Sequence, residues 1–203
     1  MQFKNKKMAN TVICAELKGK IDYSCARNFP KKYFQEAVII NLNDIDKTAS
    51  VVGDIGGTTC DYTVQMVLNS LKKGIQVKLP ETGNAIKGFT GKSKTDNGFV
   101  QYLHQVQFLM LGASSEAKCQ MDKLDHGRYV VALQLTDGTV EIYGWENGLS
   151  TGDYTYDIAE GGGGSLVVLQ SDDDAQESML PLVYKPQTGG DANADFNDQF
   201  EAA

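Results

Sequence analysis

Apolar and polar positions alternate in short runs along most of the chain, and helical spacing appears once. Ala37–Leu42 (AVIINL) is rich in branched residues and predicts a buried strand. Thr63–Leu68, Ile75–Leu79 and Ala85–Thr90 predict further strands. Within Ile75–Leu79 the alternation sets Ile75, Val77 and Leu79 on one face and Gln76 and Lys78 on the other. Phe99–Leu111 is the longest strand candidate. Its Val100, Tyr102, His104, Val106, Phe108 and Met110 share an apolar face. Gln101, Leu103, Gln105, Gln107, Leu109 and Leu111 share an amide-rich one, which predicts a sheet with a core side and a wet side.

The helical spacing falls between Ser114 and His126. Ala113, Ala117, Met121 and Leu124 make one stripe, opposite Glu116, Lys118, Asp122 and Lys123. Ser114 or Ser115 is placed to cap it, and Gly127 to end it as a C′ residue. Period two then returns. Arg128–Leu135 and Thr139–Trp145 flank Asp137–Gly138, a strong hairpin signal. On the return strand Val140 and Ile142 face one way, and Glu141, Tyr143 and Trp145 the other. Asn147–Gly148 marks another turn. Tyr154–Ala159 and Ser165–Gln170 flank the loop Gly161–Gly164, and Leu180–Tyr184 is a last short strand.

Between these runs lie the segments that read as connections. Residues 1–10 form a polar, basic arm, followed by the apolar segment Thr11–Leu17. Asn43–Asp61 reads as one long loop, and loops of about 12–15 residues or more are commonly functional. Its Ile45, Val51, Val52 and Ile55 suit a loop covered by something else. Gly91–Gly98 (GKSKTDNG) reads as a polar turn, since the phosphate-cradling G-x-x-x-x-G-K-[ST] is absent. From Pro186 the chain is polar and acidic, a tail expected to be disordered alone, with Phe196 and Phe200 as aromatic hooks.

The 203 residues allow one domain with extensions. The divisions expected are an arm (1–10), a β domain (11–185) and an acidic tail (186–203). Hairpin signals dominate and no β-α-β alternation appears. The fold class expected is mainly β (α+β): an antiparallel sandwich or barrel with one flanking helix, a long inter-strand loop and extended terminal arms.

Charge divides unevenly. Residues 1–136 hold eighteen Lys/Arg against twelve Asp/Glu, and residues 137–203 hold Lys185 alone against fourteen acids. The net charge of −7 argues against a grip on nucleic acid, which needs cations against phosphates. Candidate chemistry is sparse. Two His and four Cys show no metal-type spacing, so no cofactor or metal is expected. Cys119 with His104 or His126 has no motif behind it, and Asp172–Asp174 lacks the calcium-loop spacing. No run approaches the ~18 apolar residues of a membrane span, and no secretory signal is apparent, so synthesis in a cytoplasm is expected. Exposed Tyr143, Trp145, Tyr154 and Tyr156 offer an alternative, a carbohydrate-binding face.

The order of strand, long loop, strands, single helix (ASSEAKCQMDKLDHG), hairpin (RYVVALQLTDGTVEIYGWENGL) and last strand (LPLVYK) resembles tail tube and related virion proteins of tailed bacteriophages, most closely those of phages of Bacteroidetes-type hosts. The likeness covers most of residues 10–185. It implies a non-enzymatic subunit of hexameric rings stacked head to tail into a conduit for DNA, or a related tail terminator or connector ring. Its partners would be copies of itself and other virion proteins, with no membrane. On that resemblance Ile45, Val51, Val52, Ile55, Phe196 and Phe200 are the expected inter-subunit contacts. Gln101, Gln105 and Gln107 are the expected lumen-facing groups.

Overall fold

The computed structural model describes residues 36–53, 62–78, 86–111, 114–135, 137–154, 156 and 164–201. The arm at 1–10, the apolar segment 11–17, Ile55 and most of the expected strand 154–159 and glycine loop 161–164 lie outside the described residues. The fold is mainly β. Eleven strands run in chain order: β1 (Glu36–Asn41), β2 (Val51–Val52), β3 (Thr63–Gln65), β4 (Ile75–Lys78), β5 (Lys87–Lys94), β6 (Val100–Leu111), β7 (Tyr129–Gln134), β8 (Val140–Tyr143), β9 (Ser150–Thr151), β10 (Gly164–Gln170) and β11 (Leu182–Tyr184). Among the described residues two α-helices, α1 (Ser115–Asp125) and α2 (Ala192–Asn197), and a 3-10 turn at Leu42–Asp44 join them.

A seven-stranded sheet has the order β2-β3-β11-β8-β7-β1-β4. Its central strands read as unbroken apolar runs because both faces are covered. Ala37, Ile39, Val131, Leu133 and Tyr143 enter one core layer, while Val38, Ile40, Val130, Ala132 and Ile142 enter the other. The antiparallel register aligns these sets, with Ile39 opposite Val131 and Ala132 opposite Ile142. The hairpin expected at Asp137–Gly138 joins β7 to β8, closed by the Leu135 N–H bond to the Thr139 carbonyl (2.8 Å).

A four-stranded sheet, β5-β6-β10-β9, supplies the opposite wall of the first layer through Val106, Phe108, Val167 and Leu169. Neither sheet closes on itself. The alternation along β6 is as expected: His104, Val106 and Phe108 are buried, and Gln101, Gln105 and Gln107 are half-buried on the outer side. The Gly91–Gly98 segment departs from its reading as a turn. Gly91–Lys94 continues β5, pairing in register with Leu103–Val100. An edge strand with a solvated face needs no apolar alternation, so its polar run carried no strand signal. The turn itself is Thr95–Phe99, with Gly98 at φ +82° and the Thr95 N–H donating to the Phe99 carbonyl (2.9 Å).

Helix α1 starts where Ser114 accepts the Ala117 N–H (3.1 Å), and Met121 is its one buried residue. Gly127 has an ordinary φ, so its expected left-handed role is replaced by close packing. A Cβ there would lie 2.0 Å from the Tyr129 hydroxyl, which donates to the Lys123 carbonyl (2.7 Å).

The second core layer corrects three expectations. Ile45 is buried (5% exposed) and bridges Leu68, so this chain's own core covers it and not a neighbouring subunit. Trp145 does not share a face with Tyr143. Gly144 at φ +72° ends the strand, and Trp145 enters the layer on the other side of the sheet. The acidic tail folds up to Glu201. Asp191 caps α2 by accepting the Asn193 N–H, and Phe196 and Phe200 pack against the sheet, Phe200 edge-on to Tyr184 with centroids 4.9 Å apart.

Candidate self-association surfaces

The groups with chemical potential are engaged inside the molecule. His104, 1% exposed, accepts the Gly144 N–H at Nδ1 (3.1 Å) and donates from Nε2 to the Met179 carbonyl (2.9 Å). Those partners fix the neutral tautomer with its proton on Nε2. Burial pushes its pKa down to about 4, against the opposing pull of Met179 and Glu146. Glu177 is equally buried. Its carboxylate accepts the Glu146 N–H (2.7 Å) and the Asn147 N–H (3.0 Å), capping the 144–148 turn. Burial raises its pKa, and those two N–H groups and Lys47 restrain the rise.

Lys47 lies over the Trp145 ring, 3.8 Å from its centroid, and donates to the Trp145 carbonyl. Burial of the amine lowers its pKa although the residue as a whole stays exposed. Asp172 accepts from Ser150 and pairs with Arg128, which hold its carboxyl below the usual range. All four groups bind parts of this chain, so the cluster acts as a clasp over the 144–148 turn.

The other candidates for chemistry are not assembled into a site. Cys119 is exposed on α1, while His104 is buried with both ring nitrogens occupied. His126 bonds the Asp122 carbonyl of its own helix (2.7 Å). Among the described residues no three His, Cys, Asp or Glu side chains converge as metal ligands. The four aromatics expected as a sugar platform are dispersed. Tyr143 and Trp145 are buried in different layers, Tyr154 bonds Asp125 (2.9 Å), and Tyr156 is exposed near Lys118.

Of the expected contact residues that are described, Val51 and Val52 are exposed, 46% and 41%; Ile55 lies outside the described residues. The two valines form β2, the edge of the seven-stranded sheet among the described residues. Ile45, Phe196 and Phe200 are committed to this chain's own core and are withdrawn from that role. The edge strand β5 carries exposed Lys87, Lys92 and Lys94, a charge pattern that resists strand addition; β2 carries no such guard.

The outer face of the four-stranded sheet is nearly free of charge. Register brings Phe89 beside Gln105, Ser93 beside Gln101, and Leu166 beside Leu109, and Lys87 beside Gln107 is the one ion that the paired residues of β5, β6 and β10 place there. Phe89 and Leu166 are about half exposed on it. Gln101, Gln105 and Gln107 therefore do share one outward face with aliphatic and aromatic neighbours. Alternation signalled that face. The exposure of Leu71, Ile75 and Phe99 had no local signal, because exposure depends on what the rest of the fold fails to cover.

An apolar pocket of about 500 Å³ opens where α1 meets the ends of β4 and β6, lined by Ile39, Ile75, Val77, Phe108, Met110 and Leu124, with Lys123 at its rim. Asn41, Gln76, Leu109, Gln120 and Tyr129 complete its lining. No helix among the described residues is long and apolar enough to cross a membrane. Comparison with known proteins finds no match to the chain among family models, curated proteins or solved structures.

Proposed function

We propose that this protein is a structural virion subunit of a tailed-phage tail tube. Its two sheets pack as a β-sandwich, and its copies join as hexameric rings stacked head to tail. Assembly, without catalysis, is its work. The subunit is made in the bacterial host cytoplasm, resides in the virion tail, and meets other tail or connector proteins at the ends of the tube. The observation that carries this reading is the nearly uncharged outer face of the four-stranded sheet, with Gln101, Gln105 and Gln107 among aliphatic neighbours. A wall of neutral amides lets a polyanion pass, because its paired strands offer phosphates one cation, Lys87, and carry no carboxylates to repel them. The unguarded β2 edge, with Val51 and Val52, supplies a lateral contact between copies.

Negative-stain microscopy of the purified full chain tests the reading. Hexameric rings or hollow tubes are expected. Single rings that never stack favour a terminator or connector, and a monomer at all concentrations refutes the assignment. Val51→Asp with Val52→Asp should leave a folded monomer that no longer assembles. Normal tubes from that variant would exclude the β2 edge as a contact.

A further inference from the structure

The first core layer is left open where β4, the last strand of the seven-stranded sheet, and the end of β6 meet α1. The resulting pocket of about 500 Å³ is of the size that takes small organic ligands. It is graded from floor to mouth. Phe108 and Tyr129 are buried, 1% and 7% exposed, whereas Ile75 is 62% exposed.

The polar lining divides into engaged and free groups. Asn41 donates to Asp44 (2.7 Å), Gln76 to Glu36 (2.7 Å), and the Tyr129 hydroxyl to the Lys123 carbonyl (2.7 Å). Among the described residues the Gln120 amide and the Lys123 ammonium have no hydrogen-bond or ion-pair partner. The acids nearest in sequence do not neutralise Lys123. Asp122 faces His126 (3.9 Å), and Asp125 accepts the Tyr154 hydroxyl (2.9 Å). Gln120 and Lys123 stand three residues apart on α1, which makes them neighbours on one helix face. Both offer N–H donors at the rim, and no carboxylate is among the described lining residues.

We infer that this pocket binds an aliphatic carboxylate, its chain inward and its headgroup at Gln120 and Lys123. The inference goes beyond assembly and does not depend on how copies of the chain associate. An ammonium ligand would meet Lys123 with like charge, and an uncharged chain would leave both donors unused. A sugar would bring more hydroxyls than the apolar walls can satisfy. A carboxylate gives one oxygen to each donor, and its bond to the ammonium is charge-assisted. Volume sets the chain length. At about 30 Å³ per heavy atom, as in liquid water, the pocket has room for a chain of about twelve carbons with its carboxylate.

Calorimetric titration of the full chain with octanoate, decanoate and dodecanoate tests the inference, with dodecyltrimethylammonium as the control. One dodecanoate per chain is expected, with a Kd of about 1 mM or tighter, which ordinary per-atom binding gives a ligand of this size. Each methylene removed should weaken binding about fourfold, the loss that goes with one CH₂ left in water. The ammonium amphiphile should bind at least about tenfold more weakly than dodecanoate. Two variants locate the ligand, both at exposed side chains so that the fold is retained, which circular dichroism and melting verify. Lys123→Gln should weaken dodecanoate by about tenfold and narrow the gap to the ammonium amphiphile. Ile75→Glu puts a carboxylate at the mouth and should weaken dodecanoate while strengthening the ammonium amphiphile. No saturable binding of any of the three acids, equal binding of the two headgroups, or dodecanoate binding unchanged in both variants would overturn the inference. Crosslinks from p-benzoylphenylalanine at position 75 to another stretch of polypeptide, persisting in dodecanoate, would show the pocket filled by protein and overturn it as well.

Discussion

Replacing His104 by Gln separates a hydrogen-bonding role from an acid-sensitive one. The folded ring stays neutral down to about pH 4, whereas an unfolded histidine takes up a proton below its ordinary value of 6.5. Between those values the unfolded state binds more protons, so stability rises with pH across the window and is flat above it. The native protein should lose about 1.4 kcal/mol through this group between pH 7.5 and 5.5, and about 2.5 kcal/mol by pH 4.5.

In His104→Gln the amide can still donate to the Met179 carbonyl, but the Gly144 N–H loses its acceptor. An unsatisfied buried N–H costs about 1–3 kcal/mol at neutral pH. The variant should therefore be weaker at pH 7.5 and lose less on acidification. Urea unfolding at pH 7.5, 5.5 and 4.5 measures both. Glu177 acts with the opposite sign, since its raised pKa makes the folded state the better proton acceptor. Its contribution cancels in the difference between native protein and variant. If the two proteins lose stability in parallel as the pH falls, His104 is not a neutral buried group and the account of the clasp is wrong.

Three further outcomes are expected. Phe196→Ala should cost about 3–5 kcal/mol in denaturant melts, because the ring is fully buried in the second core layer; a cost under about 1 kcal/mol would mean that α2 is not docked. Gly127→Ala should destabilise by about 1–3 kcal/mol in thermal melts, since the added carbon meets the Tyr129 hydroxyl at 2.0 Å and its ring carbon Cζ at 2.2 Å; a change under about 0.5 kcal/mol would mean that the ring does not pack on Gly127. Glu177→Gln puts an NH2 donor in place of one of the two oxygens, each of which accepts one backbone N–H, so one of those N–H groups loses its acceptor. It should cost about 1–3 kcal/mol at pH 7 and speed amide hydrogen exchange at Glu146 and Asn147, which an unrelated core weakening would not single out.

The legible parts of the fold are those whose signals are local. The 3.6-residue stripe through Met121, the Asp137–Gly138 turn and the branched run at Ala37–Ile40 each announce themselves within a dozen residues. Lys87–Lys94 does not, because an edge strand facing water has no apolar period to display. The tail reads as disordered because its composition is polar. Its two phenylalanines find partners in Tyr184 and the distant β8, and that pairing has no trace in local sequence. Trp145 differs for another reason: alternation ends at Gly144, where a positive φ sends the next side chain to the other side of the sheet. For the candidate surfaces, alternation placed Gln101, Gln105 and Gln107 on one face. Whether an apolar side chain such as Ile45 or Val51 is covered is a property of the whole packing, and the two differ by only six positions.

The position of β11 has a consequence for the order of events in the cell. Strands β2 and β3 join the rest of their sheet only through β11, where Val183 pairs in parallel with Thr63 and Leu182 pairs with Ile142. Closing that long loop is slow relative to local hairpin formation. The margin bearing Val51 and Val52 thus becomes a continuous part of the sheet only after the late segment has inserted. A segment made late thus completes a sheet begun much earlier, and no partly synthesised polypeptide carries that margin in its finished form.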